Sequence, residues 1–460
     1  MTILCKKHKK TPCNGDFPID SARMTACNIF QGNINMLIEF TVKNYRSIKD
    51  EQQLSMVKDK GDELEDTNSF SPNAPSVAPL LHSAVVYGAN AAGKSNLIKA
   101  LVDMEVIVRN SASKIQEGDK LPIDPFLFDD ESAKAPSEFE AVFVNEGIKY
   151  QYGFTATKHQ IFEEWLIAYP KGRPQRWFSR VFDEENSVYD YKFSDNLLGS
   201  KSVWQNATRS NALFLSTAVQ LNSDQLKPAF NWFKEKLRPT NVSGWGPTFT
   251  ASQCEDESSK EQILDFLQAA DFNIHDINIE KEKFDPNSLP DDFPDELKET
   301  LVREMKDKEI IEIQTIHKTK TGKLVPLDFT DESDGTQKFF SFVGPWLDIL
   351  KNGYILVVDE LHDNLHPKMV KHLVSLFHNK ETNPKNAQLI FTTHETSILN
   401  QDVFRRDQIW FCEKDDNQET TLYPLTDFSP RKEKENLELG YLSGRYGALP
   451  FVRALTKGLK

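Results

Sequence analysis

The chain has few cysteines and no long apolar run, and both shortages limit its class. Only five of the 460 residues are cysteine, and three of these fall within the first 27 positions, without the spacing of a metal site or of a disulfide framework. No apolar run approaches the roughly 20 residues that a membrane helix needs, and no signal-peptide pattern is present. The sequence therefore predicts a cytoplasmic protein without a membrane partner.

The chain also has fewer basic than acidic residues. The 55 lysines and arginines are outnumbered by 69 aspartates and glutamates, which gives a formal net charge of −14. This balance argues against a broad, non-specific DNA-binding surface, although a local basic groove is compatible with it. Nucleic acid therefore stays open as a partner. The length of the chain suggests two or three domains.

The most informative feature that is present is a glycine-rich loop. Residues 87–95 read YGANAAGKS and fit G-x-x-x-x-G-K-[ST], the phosphate-binding loop of nucleotide hydrolases. Its glycines let the backbone wrap around a polyphosphate, its lysine adds a cation for the β- and γ-phosphates, and its serine hydroxyl is placed to bind Mg²⁺. An apolar run before the loop and helical periodicity after it predict a strand, a loop and a helix. The predicted nucleotide-binding residues are Gly88, Asn90, Gly93, Lys94 and Ser95.

A second apolar run, at residues 354–360, reads YILVVDE and predicts a strand that is buried on both faces and ends in two carboxylates. Ligands bind at the carboxyl ends of strands in open α/β sheets. We therefore predict that Asp359 binds Mg²⁺ and that Glu360 accepts a proton from the attacking water. Taken alone, the same pattern would also suit a strand that ends in a solvated acidic turn.

Two weaker patterns accompany these. Residues 389–394, LIFTTH, predict another strand, and His394 at its end could contact the γ-phosphate, although a lone histidine is more often structural. Residues 332–336, ESDGT, read by themselves as a polar turn. Neither pattern assigns a function unless it is combined with the glycine-rich loop and the strand that ends in two carboxylates.

In this order, the four patterns resemble the ABC-type ATPase heads of the SMC, RecF and OLD group. The resemblance implies that residues 332–336 are a variant signature motif, in which Ser333 and Gly335 bind the γ-phosphate of ATP held by another subunit. Asp334 stands where that motif usually has a glycine. The resemblance further implies that His394 is the switch histidine, that ATP and Mg²⁺ are the cofactors, and that the active form is a homodimer or a higher homo-oligomer.

The resemblance extends towards both ends of the chain. Residues 37–48 resemble the opening hairpin of the group, which implies that Arg46 approaches the nucleotide; an ordinary surface arginine is the alternative. Residues 211–216 and 440–448 resemble the RloA/AbiL-like family of AAA ATPases, which are linked to abortive-infection and restriction loci. The glutamine that couples hydrolysis to motion in this group has no secure position, and Gln151 is one candidate.

Two histidines follow the predicted carboxylates at residues 361–367, which take the position of the D-loop. His362 and His366 are four residues apart and could imitate a metal-binding pair, but no third ligand is evident. The sequence therefore does not favour a zinc site.

The predicted fold class is α/β: an ABC-type P-loop ATPase head with an antiparallel β subdomain and a helical insertion. Residues 36–121 and 311–460 would form the head, 122–222 the β-rich subdomain, and 223–310 the helical insertion, which packs on the head or contacts a partner. Residues 1–35 would be a disordered tail or the product of a misassigned start.

The expected function is ATP hydrolysis without nuclease activity, because the roughly 65 residues after His394 are too few for a typical second catalytic domain. The family resemblance then implies an ATP-hydrolysing sensor or regulator of a phage-defence (abortive-infection) system. A separate effector protein, a nuclease or a toxin from the same locus, would do the damage. The alternative is an SMC/RecF-like DNA-maintenance ATPase that clamps DNA.

Overall fold

A parallel sheet and an antiparallel sheet, with one helix packed between them, form the frame of the molecule. The computed structural model describes residues 35–241, 244–283, 302–303, 309–363, 365–432 and 435–450. These residues all belong to one unit, Asn33–Lys460. Of the expected tail at 1–35, only Asn35 falls within the described part of the chain.

The strands are, in chain order, β1 Met36–Lys43, β2 Gln52–Ser55, β3 Ser69–Phe70, β4 Leu80–Leu81, β5 Ser83–Gly88, β6 Ser137–Asn145, β7 Ile148–Ala156, β8 Ile161–Tyr169, β9 Gln175–Asp183, β10 Val188–Phe193, β11 Leu237–Asn241, β12 Asp276–Lys283, β13 Glu309–Lys318, β14 Leu324–Asp328, β15 Ile355–Asp359, β16 Gln388–Thr392, β17 Ile409–Lys414 and β18 Thr420–Pro424.

The α-helices are α1 Glu65–Asn68, α2 Lys94–Asn110, α3 Lys201–Ala207, α4 Phe214–Gln220, α5 Lys227–Asn231, α6 Thr248–Gln253, α7 Glu257–Ala269, α8 Asp334–Asn352, α9 Pro367–Phe377 and α10 Leu437–Leu442. A π-helical turn spans Trp232–Lys236, and short 3-10 turns span Phe329–Asp331, Thr396–Ile398, Arg406–Gln408 and Leu425–Phe428. Among the described residues, no helix is both long enough and apolar enough to cross a membrane.

The central sheet has six strands in the order β11–β15–β16–β5–β17–β18, and all neighbours except β17 and β18 are parallel. The apolar runs of β5, β15 and β16 are buried because helices or the second sheet cover both faces of the central sheet. Since parallel strands end at the same edge, the loop after β5 and the residues that end β15 and β16 come together there.

The second sheet is antiparallel throughout, with the order β10–β9–β8–β7–β6–β1–β2. Strands β6 to β10, from the interval 122–222, thus continue the hairpin of β1 and β2 into one sheet. A separate small sheet has the order β12–β13–β14.

Helix α2 fills the space between the two large sheets. Its apolar residues, including Leu97, Leu101 and Met104, pack in one core with Ala84 and Val86 of β5 and with aromatic side chains of the antiparallel sheet. The alternate side chains of the central sheet belong to a second core, formed with α8 and α9. The alternation along each strand therefore places α2 on one face of the central sheet and α8 on the other.

The interval 223–310, for which the sequence predicts a helical insertion, is only partly helical. It contains α5, α6 and α7, but also β11, which joins the edge of the central sheet, and β12, which belongs to the small sheet. Residues 284–301 of this interval lie outside the described residues. The sequence of β11, LRPTN, is too polar to predict a strand. Its strand conformation is stabilised by pairing with β15 and not by its own composition.

Candidate nucleotide-binding site

The glycine loop has the form that the sequence predicts, and the neighbouring strands explain why its glycines are needed. A side chain at Gly88 would overlap the backbone carbonyl of Cys412 in β17. Gly93 has φ +106°, and a side chain there would overlap Thr420 at the start of β18. Between the glycines, Asn90 is exposed at the tip of the loop. The loop is therefore held closely against β17 and β18, with its tip open to solvent.

Lys94 is the first residue of α2, and its side chain turns back over the loop. The Nζ atom donates to the carbonyl oxygens of Gly88, at 2.9 Å, and of Ala89, at 3.0 Å. It also lies 3.3 Å from Nε2 of His394. Burial lowers the pKa of the Lys94 ammonium, while the nearby acidic groups oppose this shift. These acceptors hold the ammonium group over the glycine loop.

Ser95 follows Lys94 in the first turn of α2 and is exposed to solvent. It directly follows the loop that connects β5 to α2, and therefore lies at the carboxyl edge of the central sheet. The structure therefore brings the expected phosphate-binding and metal-binding residues of the loop to one edge.

Asp359 and Glu360 end β15, and Thr392 at the end of β16 fixes both of them. The hydroxyl of Thr392 donates to Oδ1 of Asp359 at 2.6 Å, and it accepts the backbone N–H of Glu360 at 2.7 Å. Glu360 has φ +55°, in the left-handed region, and its side chain is about half exposed (51%). The Thr392 hydroxyl thus binds the Asp359 carboxylate, while the half-exposed Glu360 carboxylate can reach solvent water.

His394 lies between the glycine loop and the carboxylates. Its Nε2 atom is 3.8 Å from Oε1 of Glu360, as well as 3.3 Å from Lys94. The ring of His362 stands perpendicular to it, with ring centroids 5.2 Å apart. Burial, with help from the charge of Lys94 and from His362, lowers the pKa of His394 to about 4. The imidazole is therefore neutral near pH 7.

Three polar residues that the sequence patterns missed fasten the glycine loop. The Thr420 hydroxyl donates to the carbonyl of Ala92 at 2.9 Å, and it lies 2.8 Å from the Ser47 hydroxyl. Asn96 of α2 donates to the same Ser47 hydroxyl at 2.7 Å. No local pattern marks these residues, because they come together only when β18, the first hairpin and α2 meet.

Arg46 occupies a different environment from its neighbour Ser47. Its guanidinium forms an ion pair with Asp124 at 2.9 Å and donates to the Tyr45 hydroxyl at 3.0 Å. The approach of Arg46 to a nucleotide stays a prediction. Gln151, the candidate coupling glutamine, donates to the Glu140 carboxylate at 3.0 Å. Its coupling role likewise stays a prediction.

The expected signature residues lie at the start of α8. Ser333 is the N-cap of the helix, where its Oγ accepts the backbone N–H of Thr336 at 3.2 Å. Ser333 is exposed, and a side chain added at Gly335 would meet the Ser333 Oγ at an ordinary contact distance of 3.9 Å. Within the described part of the chain, no hydrogen bond joins Ser333 or Gly335 to residues 88–95. The helix start is therefore free to meet another molecule.

The two histidines of the D-loop position face different partners. His362 lies beside His394, whereas Nδ1 of His366 accepts the backbone N–H of Lys368 and caps α9. Among the residues that the structure describes, no group of three or more His, Cys, Asp or Glu side chains could hold a metal ion. The geometry offers no support for a histidine-based zinc site.

A protein-family model covers the part of the chain that contains these residues. The model described as "AAA domain, putative AbiEii toxin, Type IV TA system" matches residues 83–400. The chain belongs to this AAA family. The matched range begins at the first residue of β5 and ends after His394, so that the AAA domain contains the glycine loop, the start of α8, both carboxylates and the histidine. The chain therefore carries a nucleotide-binding domain of the ATPase type.

No protein of curated function matches the sequence. Among solved structures, the SMC head domain from Thermotoga maritima is similar at 10% identity with a TM-score of 0.36, covering 84% of this chain and 98% of that chain. The recombination mediator protein RecF from the RecFOR pathway is similar in its ATP form at 15% identity and a TM-score of 0.33, covering 79% of this chain and 95% of that chain. A second RecF structure gives 13% identity and a TM-score of 0.35, covering 85% of this chain and 99% of that chain.

Proposed function

We propose that the AAA protein is an ATP-hydrolysing sensor or regulator of a phage-defence (abortive-infection) system, and that it controls a separate effector from the same locus. The observation that carries the ATPase part is the cluster of Lys94, His394 and Glu360 at the carboxyl edge of the central sheet. The family description, which names a toxin system, supports the defence part. The effector would be a nuclease or a toxin.

ATP with Mg²⁺ fits the donors that meet at this edge. The exposed hydroxyl of Ser95 and the carboxylate of Asp359 are hard oxygen ligands of the kind that Mg²⁺ prefers. When bound, Mg²⁺ would be held by Ser95 and Asp359, and it would neutralise part of the phosphate charge. Lys94 would exchange its carbonyl contacts for phosphate oxygens, and the backbone N–H groups at the start of α2 would point towards them.

The hydrolytic step needs a base, and Glu360 would supply it. Its exposed carboxylate can accept a proton from a water molecule, while the Thr392 hydroxyl fixes the backbone of the turn that carries it. His394 remains neutral near Lys94, so it can accept from the lysine in the nucleotide-free state and contact a phosphate oxygen when the lysine moves. The contacts of the His394 ring would then depend on whether the γ-phosphate is present.

We also propose that two or more copies of the chain act together. Ser333 is exposed and Gly335 has the Ser333 Oγ at ordinary contact distance, so the start of α8 could accept a phosphate that another subunit holds. The turnover site would be complete only in a homodimer or a higher homo-oligomer. ATP binding would then change the assembly, and with it the release of the effector.

Acidic groups on the antiparallel sheet argue against that surface as a DNA clamp. Glu138, Glu140 and Glu163 lie on the face that points away from α2. Burial and neighbouring carboxylates, including Glu51, raise the pKa of Glu138. A DNA-maintenance ATPase is the alternative function, and salt-sensitive DNA binding by the purified protein would favour it.

The test compares the chain alone with its complete locus. Cells that express the locus should resist phage, whereas cells that express only this chain should neither die nor resist. Lys94→Ala should abolish resistance, while Lys99→Ala, on the exposed side of the same helix, should preserve it. Resistance from the isolated chain, or cleavage of nucleic acid by the purified protein alone, would overturn the proposal.

A further inference from the structure

A pocket of about 680 Å³ lies at the free edge of the central sheet. Its walls come from α2 on one face of the sheet, from α8 on the other face, and from β11 with residues 244–249 between them. This volume lies within the range of small-molecule sites, roughly 300–1,000 Å³. The pocket is distinct from the glycine loop, whose residues belong to the carboxyl edge of the sheet.

The sequence of β11 indicates that the pocket does not bind an additional β-strand. Residues 237–240 all line it, so the outer edge of the strand forms this wall rather than one of its faces. Pro239 lies in the middle of this edge and has no N–H to donate. Because strand addition depends on backbone donors along the edge, a smaller ligand suits this wall better.

Flat apolar groups form part of the lining. The ring of Trp245 packs edge-on against Phe342 of α8, with centroids 5.0 Å apart, which fixes its orientation. Phe249 is 42% exposed although it is a large apolar side chain. Both residues line the pocket. Rings held in this way offer stacking surfaces to a planar ligand.

Charged groups of both signs also converge on the pocket. Glu105 of α2, whose side chain is only 4% exposed, forms an ion pair with Arg109 at 2.6 Å. Asp348 of α8 and Arg238 of β11 also line the pocket. Burial raises the pKa of both Glu105 and Asp348, and the nearby Arg238 opposes the shift in each case. The pocket thus combines two carboxylates with two guanidinium groups, and its charge is balanced.

We propose that this pocket binds a guanine-type base, a planar ring with adjacent hydrogen-bond donors and acceptors on its edge. The N1–H and N2–H groups of such a base match a carboxylate, which Asp348 supplies; its Oδ1 also accepts the Asn352 amide at 2.7 Å. The O6 and N7 atoms of the base are the acceptors that an arginine meets, and Arg238 supplies the guanidinium, which also lies over the Tyr354 ring, 4.6 Å from its centroid. The ring stacks on Trp245.

The position of the pocket allows a bound ligand to affect the ATPase site through the helices and the strand that the two sites share. Helix α2 begins at Lys94, α8 begins next to Ser333, and β11 is paired with β15 in a register that sets Asn241 opposite Asp359. All three elements line the pocket. A bound base therefore changes the free energy of moving α8 relative to α2, which alters ATP turnover. This regulatory effect rests on the proposed ATPase function, whereas the binding itself does not.

The binding test is calorimetric titration of the full-length protein with guanosine, which has no phosphate for the glycine loop. We expect saturable binding that Asp348→Asn and Trp245→Ala each weaken by about tenfold or more, a loss of roughly 1.4 kcal/mol. Lys94→Ala, and Asp265→Asn on the exposed face of α7, should leave the affinity unchanged. Thermal melting confirms that each variant is folded.

The outcomes separate the parts of the proposal. Absence of guanosine binding to the folded wild type, or binding that Lys94→Ala removes and Asp348→Asn does not, overturns the site. Equal affinity for guanosine, adenosine and cytidine overturns the choice of base. Guanosine binding with unchanged ATP turnover overturns the regulatory effect alone, and a protein that binds guanosine but never hydrolyses ATP refutes the proposed function without refuting the pocket.

Discussion

The ammonium nitrogen of Lys94 lies 3.3 Å from Nε2 of His394, which joins the glycine loop directly to the end of β16. An ammonium group only donates, so Nε2 of the imidazole is the acceptor and the ring proton sits on Nδ1. The two residues are far apart in sequence but share one contact at the site. Movement of Lys94 towards a phosphate therefore changes the environment of the histidine at once.

The first prediction concerns the pKa of His394. In the nucleotide-free protein an NMR titration should give a pKa of about 4, because burial and the charge of Lys94 both disfavour the imidazolium. Lys94→Met should raise this pKa, although only in part, since burial is the larger cause and remains. Between pH 6.5 and 4 the unfolded chain binds more protons at this position than the folded chain does. The contribution of His394 to stability is therefore fully present above pH 6.5 and is lost as the pH falls through this window.

Lys99→Met serves as the control for this titration, because Lys99 is a lysine on the exposed side of the same helix. It should leave the midpoint of His394 unchanged. A wild-type midpoint close to 6.5, or the same midpoint in the Lys94→Met variant, would show that the contact does not exist in solution.

The second prediction separates ATP binding from ATP turnover. Glu360→Gln keeps the size of the side chain but removes the base, so ATP should still bind while turnover falls by about 10²–10⁴-fold. Lys94→Ala should weaken both, since it removes a phosphate contact made in the ground state and the transition state. Nucleotide binding by fluorescence and phosphate release measure the two properties. Glu381→Gln, at an exposed position, is the matched control, and near-normal hydrolysis in Glu360→Gln would contradict the assignment.

The third prediction concerns assembly through the start of α8. Ser333→Arg should leave ATP binding to a single chain intact but abolish turnover, because the larger side chain blocks the exposed cap. A mixture of this variant with Lys94→Ala protein should recover part of the activity, since each mixed dimer holds one complete site. Sedimentation with and without ATP should show the association. A monomer that turns over at the full rate would refute this arrangement.

The fourth prediction concerns the backbone of the glycine loop. Gly93→Ala should destabilise the protein by about 2–5 kcal/mol and remove ATP binding, because it combines strain at φ +106° with overlap against Thr420. Gly147→Ala, in the turn after β6, has a positive φ but open space around it. It should therefore cost only about 1 kcal/mol, the strain term alone. Urea unfolding measures both, and equal costs for the two variants would show that contact with Thr420 is unimportant.

The parts of the site that sequence could predict are those that a local pattern encodes. Spacing alone identifies the loop before Lys94, and unbroken apolar runs place Asp359 and His394 at strand ends. Thr392 and Thr420 could not be recognised in the same way, because their hydrogen bonds depend on which strands become neighbours. Only the folded register shows that one threonine holds a carboxylate and the other holds the glycine loop.

The same limit applies to the fold. The apolar pattern of β5, β15 and β16 predicts a buried parallel sheet, but the polar sequence of β11 conceals that it belongs to the edge of that sheet. The sequence therefore predicts a helical insertion for this interval. The antiparallel sheet is easier to predict, because the alternation along β6 and β7 is local and the strands are adjacent in sequence.

The order of strands in the central sheet also determines when the protein can become active during its synthesis. Strand β5 pairs with β16 on one side and with β17 on the other, and the ribosome makes both of these only after most of the chain. At translation rates of about 5–20 residues per second, the glycine loop waits for tens of seconds before its sheet can close. A nascent or truncated chain therefore has the loop without its carboxylates, and a polypeptide that ribosomes abandon part-way cannot hydrolyse ATP. During that interval the apolar run of β5 lacks its partner strands, so a chaperone that covers this segment would reduce aggregation.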